Sequence, residues 1–272
     1  MRVKFGLLSL IVLSALGVEI LSSFSTGMKK LPDDEKYKVI KVNGQILVKK
    51  SGKPLSTGDE LLASTPLDFK TTDSRAAVIS PTKGRFVLTA QAETGKTNLV
   101  PGMNNVSSRS GALINVIDLK NHFSGDYLIL DHWKLKIGNE AFPQSDKNFF
   151  FLRFTYNGET INKRLKHDGD SVILERSSIF SIDNKPVDEI QKLECGLYYR
   201  KSETNENVSI ASFNAIFPAL KDLTGEIQIV LDNCASKKTA EKIDEVSAYL
   251  NEFYGKTDRD NLVNWMKANL KY

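Results

Sequence analysis

Residues 37–89 read YKVIKVNGQILVKKSGKPLSTGDELLASTPLDFKTTDSRAAVISPTKGRFVLT, and the prediction of the architecture starts from these residues. Short apolar runs alternate in it with turn residues. Asn43-Gly44 stands between two β-branched runs, which is the strongest short hairpin signal. Gly58 and Gly84 supply the backbone freedom that further tight turns need. Turns this frequent are typical of a small roll, sandwich or barrel, so the sequence predicts a compact all-β module over residues 37–100.

The order of motifs in residues 37–89 resembles the FecR-type periplasmic β domain. The resemblance is carried by an early glycine before an apolar strand, a Gly-Asp pair before two leucines, and an Ala-Val strand that a turn and a glycine join to a Val-Leu strand. The matching positions are Gly44, Gly58, Asp59, Ala77, Val78, Gly84, Val87 and Leu88. The resemblance implies a β domain outside the cytoplasm that contacts an envelope partner, and it assigns no catalytic residue. Regulatory members of the family place a cytoplasmic anti-sigma segment and a membrane helix before this domain, whereas this sequence opens on an apolar leader.

The amino terminus has the pattern of a secretory leader. Arg2 and Lys4 precede an apolar run over residues 5–18, and small polar residues follow it. We therefore predict a signal peptide or an N-terminal membrane anchor over residues 1–26 and a polar linker over residues 27–36. Both alternatives place the body of the protein outside the cytoplasm, in the periplasm or at the cell surface. An uncleaved leader is the one predicted contact with a membrane.

Composition narrows the classes of function. The chain has 272 residues, of which 26% are charged, and its formal net charge is +4. Charge this well mixed lacks the basic stripe of a nucleic-acid binder. Its three histidines and two cysteines do not stand at metal-ligand spacing, and we find no phosphate-binding glycine loop and no serine nucleophile motif. We therefore expect no metal, no cofactor and no nucleic acid.

Residues 90–111 are poor in apolar residues and predict a loop or linker, within which the domain boundary is placed at 101–111, and a second domain is predicted over residues 112–272. Its clearest element is a hairpin around Asn157-Gly158, in which alternate residues form one buried apolar face. That face consists of Phe150, Leu152, Phe154 and Tyr156. Further strands are predicted at 197–200, 208–217 and 227–231, and a hairpin is predicted from 127–130 and Leu135.

The period of the sequence changes after Ser236. Apolar residues recur at helical spacing up to Gly255, and a capping pattern that starts at Thr257 predicts a last helix. The fold class expected is thus β-rich α+β, with a small all-β module followed by a domain whose two C-terminal helices pack on an antiparallel sheet. Trp133, Trp265 and Met266 form a candidate partner surface, although their spacing also fits core packing.

Cys195 and Cys234 permit three interpretations. In an oxidising compartment they are expected to form a disulfide, and the alternative is two unpaired structural thiols. In the third interpretation Cys234 follows a strand and precedes a helix, where the helix dipole stabilises a thiolate nucleophile. His167 or His132 would then serve as its base.

The sequence thus supports two classes of function. The first is a non-enzymatic exported binding, scaffold or sensor protein of the cell envelope that acts through contacts with other envelope proteins. The alternative is an envelope cysteine hydrolase that uses Cys234 with His167.

Overall fold

The computed structural model describes residues 35–91, 97–103 and 112–271. The predicted leader at 1–26 and the linker up to residue 34 lie outside this range. The leader therefore remains a prediction.

The first part of the chain forms an antiparallel sheet and a small separate ladder. The strands are β1 (Lys36–Asn43), β2 (Ile46–Val48), β3 (Glu60–Leu62), β4 (Leu67–Phe69), β5 (Arg75–Ser80), β6 (Gly84–Ala90) and β7 (Thr97–Pro101). The first sheet has the order β3-β1-β5-β6-β7, and β2 pairs with β4. The all-β prediction for 37–89 is confirmed. The predicted loop is wrong at Thr97–Pro101, which forms β7 against β6.

Gly44 redirects the chain instead of closing a hairpin. β1 pairs with β3 and β5, whereas β2 pairs with β4, so the predicted Asn43-Gly44 hairpin is wrong. Gly44 has a φ of +76°, and a Cβ at this position would lie 2.5 Å from Ser74 Oγ. The hydroxyl of Ser74 accepts a hydrogen bond from the Gln45 amide at 3.2 Å. The glycine therefore permits a close contact at the point where the chain leaves the first sheet.

The middle of the chain forms three further sheets. Its elements are α1 (Val116–His122), β8 (Asp126–Leu128), β9 (His132–Lys136), β10 (Phe149–Tyr156), β11 (Glu159–Arg164), β12 (Lys166–Asp168), β13 (Ser171–Glu175), α2 (Arg176–Ile179), β14 (Ser181–Ile182), β15 (Lys185–Pro186), β16 (Lys192–Lys201) and β17 (Glu206–Ile216). The largest, the middle sheet, has the order β11-β10-β16-β17-β8. β12, β13 and β9 form a three-stranded sheet, and β14 pairs with β15.

One of the two hairpins predicted in this part is confirmed. Asn157 and Gly158 have φ values of 50° and 82°, as a two-residue turn of this kind requires, and they join β10 to β11. The alternate residues of β10 face the core, as expected. The hairpin predicted from 127–130 and Leu135 is wrong, because β8 runs parallel to β17 and β9 pairs with β13.

Three helices, rather than the predicted two, end the described chain: α3 (Leu220–Asn233), α4 (Thr239–Phe253) and α5 (Arg259–Asn269). The strand predicted at 227–231 is wrong, because it lies inside α3. The residues Ile227-Gln228-Ile229 alternate as in a strand, but buried residues recur at helical spacing over the whole of α3. Gly255, with a φ of +116°, follows the end of α4 as predicted.

The helices cover one face of the first sheet. Ile40, Ala77, Ile79 and Val87 on that face belong to the same buried cluster as the apolar residues of α3, α4 and α5. The opposite face packs with residues of β2 and β4 in a separate cluster. The sheet is therefore buried on both faces, which explains why all residues of β5 from Ala76 to Ser80 are buried. The fold is β-rich α+β, and one core crosses the boundary predicted at 101–111.

A buried polar network, here named the polar clamp, joins the first sheet to the helices. It consists of Lys41, Glu226, Tyr249 and Tyr254. Lys41 Nζ donates to Glu226 Oε1 at 3.0 Å and to the Tyr254 hydroxyl at 2.8 Å. Glu226 Oε2 accepts from the hydroxyls of Tyr249 at 2.6 Å and Tyr254 at 2.5 Å. Burial and the Glu226 carboxylate raise the pKa of both tyrosines. The buried charges are thus paired and hydrogen-bonded.

The side-chain amide of Asn261 links helix α5 to the edge of the three-stranded sheet. The side chain of Asn261 accepts from the Lys134 backbone amide at 2.8 Å and donates to the Lys134 carbonyl at 2.9 Å. These two hydrogen bonds are the ones that a backbone residue of a further strand would make with Lys134 at the edge of β9. Asp258 begins α5 by accepting from the Asn261 backbone amide at 2.9 Å.

Candidate functional site

The partner surface predicted from three large apolar residues is wrong. Trp133, Trp265 and Met266 are 4%, 6% and 0% exposed. Trp133 packs in the core of the middle sheet, and the other two pack in the helical core. Their spacing therefore reflects core packing, the other interpretation that the sequence allowed.

The two cysteines are free, buried thiols, so the predicted disulfide is absent from the structure. Cys195 lies on β16 in the core of the middle sheet, and Cys234 lies at the end of α3 in the helical core. Burial raises the pKa of the Cys195 thiol to about 12, and it also raises the pKa of Cys234.

Cys234 lacks the surroundings expected of a nucleophile. The sequence placed it before a helix N-terminus, but it is the C-cap of α3, where the helix dipole disfavours a thiolate. The charged groups that act on its thiol are lysines and a glutamate, with no histidine among them in the described part of the chain. His167 is exposed on β12, and His132 is exposed at the start of β9. The structure does not bring a catalytic pair together around Cys234.

The outward side of the middle sheet carries concentrated positive charge. A groove of about 370 Å³ lies on this side. We name its lining the arginine face, and it consists of Phe149, Phe151, Arg153, Asn162, Arg164, Arg200 and Asn207. Three arginines and no acidic residue line the groove, so the lining has a formal charge of +3.

Strand pairing builds the arginine face. Because the even-numbered residues of β10 from Phe150 to Phe154 face the core, the odd-numbered ones point outward. The antiparallel register then pairs Arg153 with Asn162, Phe151 with Arg164, and Phe149 with Arg200. Arg153 and Arg164 are thus diagonal neighbours on adjacent strands, a relation in which Cα atoms lie about 7–8 Å apart.

Aromatic rings hold two of the three arginines, Arg153 and Arg164, on the sheet. The guanidinium of Arg153 lies 4.6 Å from the ring centre of Tyr198, and that of Arg164 lies 4.5 Å from the ring of Phe149. Tyr198 in turn stacks on Phe151 at 5.3 Å. A Cβ at position Gly196 would lie 2.6 Å from Tyr198 Cε2, so the glycine makes room for this ring. The rings orient the guanidinium groups by cation–π contacts without neutralising them.

The hydrogen bonds of Arg153 and Arg164 leave donors available, whereas those of Arg200 engage both of its Nη groups. Arg153 Nε donates to Asn162 Oδ1 at 2.8 Å, and within the described residues its two Nη groups have no protein acceptor. Arg164 pairs at 3.0 Å with Asp146, whose side chain is 99% exposed. An ion pair this exposed contributes little and is readily exchanged. Arg200 Nη1 donates to the Asn205 carbonyl at 3.2 Å and to Asn207 Oδ1 at 3.3 Å, and its Nη2 donates to the Asn205 side-chain oxygen. Arg200 therefore contributes mainly its charge to the groove.

This arrangement suits the binding of anions. Guanidinium groups stay charged at physiological pH and present planar pairs of donors that match carboxylate and phosphate oxygens. The neighbouring rings offer apolar contact beside the charges. These side chains provide recognition groups, and none of the residues that line the groove is a nucleophile.

One histidine outside the arginine face has a strongly lowered pKa. His122 Nε2 lies 2.7 Å from the hydroxyl of Tyr127, which accepts from Trp133 Nε1 at 3.0 Å. Because the indole can only donate, the hydroxyl proton of Tyr127 points to His122. Burial, assisted by Lys256, lowers the pKa of His122 to about 4. The neutral ring therefore belongs to a buried hydrogen-bonded cluster.

In residues 35–91, 97–103 and 112–271, no group of three or more His, Cys, Asp or Glu side chains could hold a metal ion. None of the helices in the same residues combines the length and the apolar character needed to cross a membrane.

Half of the arginine face could be predicted from the sequence. A two-residue turn at Asn157-Gly158 fixes the register, and this register alone pairs Arg153 with Asn162 and Phe151 with Arg164. The buried side of the hairpin was predicted from the sequence, whereas its outward side was not. Arg200 could not be placed, because β16 joins β10 by a pairing between segments distant in sequence.

No model of a protein family fits the chain, and no curated protein matches its sequence.

Proposed function

We propose that the protein is an exported binding protein of the cell envelope that holds an extended, acidic segment of a partner protein on the arginine face. The single observation that carries the proposal is the groove with three arginines and no acidic residue in its lining. The leader pattern at residues 1–26 and the resemblance of 37–89 to FecR-type domains support the location outside the cytoplasm.

The spacing of the arginines favours an extended peptide. Side chains two residues apart in a strand lie on the same side, about 7 Å from each other. This distance matches the diagonal separation of Arg153 and Arg164, so two alternate carboxylates of one segment can each reach a guanidinium. The rings of Phe149 and Tyr198 can then contact the aliphatic parts of the same segment. Nucleic acid is a poorer fit, because charge is well mixed over the chain as a whole.

A binding assay with a defined peptide tests the proposal. The probe is a fluorescein-labelled peptide of alternating glutamate and threonine, and fluorescence anisotropy measures its binding to the full mature chain. We expect the affinity to fall as salt is added. Arg153→Gln should weaken binding by about tenfold, because one charge-assisted hydrogen-bonded contact is lost. Arg153→Lys should recover only part of this loss, since an ammonium cannot present paired donors.

Two controls separate recognition from general attraction. Lys221→Gln removes the same charge from an exposed position of α3 and should leave binding unchanged. The matched peptide of glutamine and threonine should not bind. The proposal is refuted if Lys221→Gln weakens binding as much as Arg153→Gln, or if single-stranded DNA or pyrophosphate competes better than the acidic peptide.

Export is tested separately. Cell fractionation followed by N-terminal sequencing should place the protein outside the cytoplasm. Recovery from the cytoplasm with an intact leader would refute the proposed location, whatever the peptide assay shows.

A further inference from the structure

Strand β11 forms one edge of the middle sheet, beside the arginine face. It pairs with β10 and with no other strand in the part of the chain that the structure describes. The turn that joins the two strands has two residues, so Tyr156 and Glu159 form a hydrogen-bonded pair, and every second pair after them does the same. The Leu165 amide continues this alternation, because it donates to the Phe150 carbonyl at 2.9 Å. The odd-numbered residues of β11 therefore direct their backbone groups toward β10.

The even-numbered residues of β11 direct their backbone groups away from the sheet. Thr160 and Asn162 are exposed, and among the described residues no strand or loop bonds to their backbone amides and carbonyls. Two donors and two acceptors thus form an open row along the edge. Such a row is the template to which an extended segment of another chain adds as a further strand.

The charge beside this edge favours an acidic segment. The side chains of Asn162 and Arg164 line the arginine face, so alternate side chains of an added strand lie on that face too. A carboxylate beside Asn162 is close to Arg153, whose Nε donates to Asn162 Oδ1 at 2.8 Å and whose Nη groups are available. A carboxylate beside Arg164 can replace the exposed Asp146 as its partner.

We propose that the acidic segment of the partner binds as an additional strand along β11. Its acidic residues bond through their backbone groups to Thr160 and Asn162, and their carboxylates meet the guanidinium groups of the arginine face. The backbone groups of the intervening residues point away from the sheet, to solvent. This inference rests on the proposed function, because it takes the acidic segment as the occupant, and it adds the position and the backbone contacts of that segment.

Backbone methylation of the probe tests the inference without altering the protein. The probe is the fluorescein-labelled peptide of alternating glutamate and threonine, and anisotropy measures its binding to the full mature chain. Methylation of every glutamate backbone nitrogen removes the donors that face β11, so the affinity should fall by about tenfold or more. Methylation of every threonine backbone nitrogen alters donors that face solvent and should leave the affinity unchanged. All three peptides carry the same charge.

Hydrogen exchange followed by NMR gives a second readout on the protein. The amides of Thr160 and Asn162 should exchange fast in the free chain and slowly in the complex. The amides of Ile161 and Lys163, which face β10, should exchange slowly in both. Equal affinity of the two methylated peptides would overturn the inference, as would unchanged exchange at Thr160 and Asn162 while the unmodified peptide is bound. If the unmodified peptide does not bind, the proposed function fails and this inference fails with it.

Discussion

Replacing Glu226 by glutamine tests how the polar clamp holds the helices to the first sheet. The carboxylate accepts from Lys41 on one oxygen and from two tyrosine hydroxyls on the other. An amide of the same shape still offers a carbonyl oxygen to the hydroxyls. Its NH₂ group, however, would meet the Lys41 ammonium donor to donor. The substitution therefore removes one charge and one acceptor without creating a cavity.

The size of the effect follows from burial. Removing one partner of a buried ion pair costs about 3–5 kcal/mol. The Lys41 side chain is 20% exposed and Glu226 only 4%, so water can solvate the ammonium in part. We expect Glu226→Gln to lower the free energy of unfolding by about 2–3 kcal/mol. Lys41→Met should cost about 1–2 kcal/mol, because the carboxylate keeps its two hydroxyl donors. The double variant should lose less stability than the sum of the two single losses, and the difference, the coupling energy, should be about 1–2 kcal/mol.

Urea unfolding of the full mature chain, followed by circular dichroism, measures these values if the m-value stays constant. Glu203→Gln, in the exposed turn between β16 and β17, is the matched control and should change stability by less than about 0.5 kcal/mol. Additivity of the two clamp substitutions within about 0.5 kcal/mol would show that Lys41 and Glu226 do not act as one network. So would a loss below about 1 kcal/mol for Glu226→Gln, because a partner in a buried network must cost more.

Two further predictions concern other buried polar groups. Folding lowers the pKa of His122 from 6.5 to about 4, so the unfolded chain binds a proton more readily than the folded chain between these pH values. The free energy of unfolding should therefore have its full value above pH 6.5 and fall by up to about 3 kcal/mol as the pH drops to 4. Urea unfolding at both pH values should show a smaller fall for His122→Gln, and an equal fall in both proteins contradicts the assignment. Asn261→Ala should cost about 2 kcal/mol and speed hydrogen exchange at the Lys134 amide, because that amide loses its acceptor. Unchanged exchange there would show that Asn261 does not hold the strand edge.

The two Asn-Gly pairs show how far turn chemistry predicts this fold. Asn157-Gly158 closes a hairpin because its flanking strands share a sheet and the register continues into β16. Asn43-Gly44 has the same residues, yet the chain leaves one sheet there and enters another ladder. The difference is the contact of Gly44 with Ser74, a residue distant in sequence. Local patterns therefore identify the positions of turns, whereas tertiary contacts decide which strands pair.

Helix α3 shows a second limit. A short window around Ile227 alternates like a strand, and only the longer window from Leu220 reveals the helical period. Because residues 227–231 were predicted to be a strand, Cys234 was expected before a helix, whereas it lies at the C-terminal end of α3. The nucleophile hypothesis depended on that wrong position. The overall class was predictable because most strands carry strong turn and alternation signals. The packing of the last helices on the first sheet was not predictable, because it depends on contacts between segments that are distant in the sequence.

The burial of the first sheet by the last helices also affects the chain during its synthesis. Lys41 and Glu226 are 185 residues apart, and the apolar face of Ile40 and Ala77 lacks its helical cover until α3 has left the ribosome. The first sheet is therefore synthesised long before the helices that cover it. A nascent chain that stops before residue 220 leaves this apolar face exposed to solvent. We therefore expect premature termination products to be degraded or to aggregate, and not to persist as a folded amino-terminal fragment.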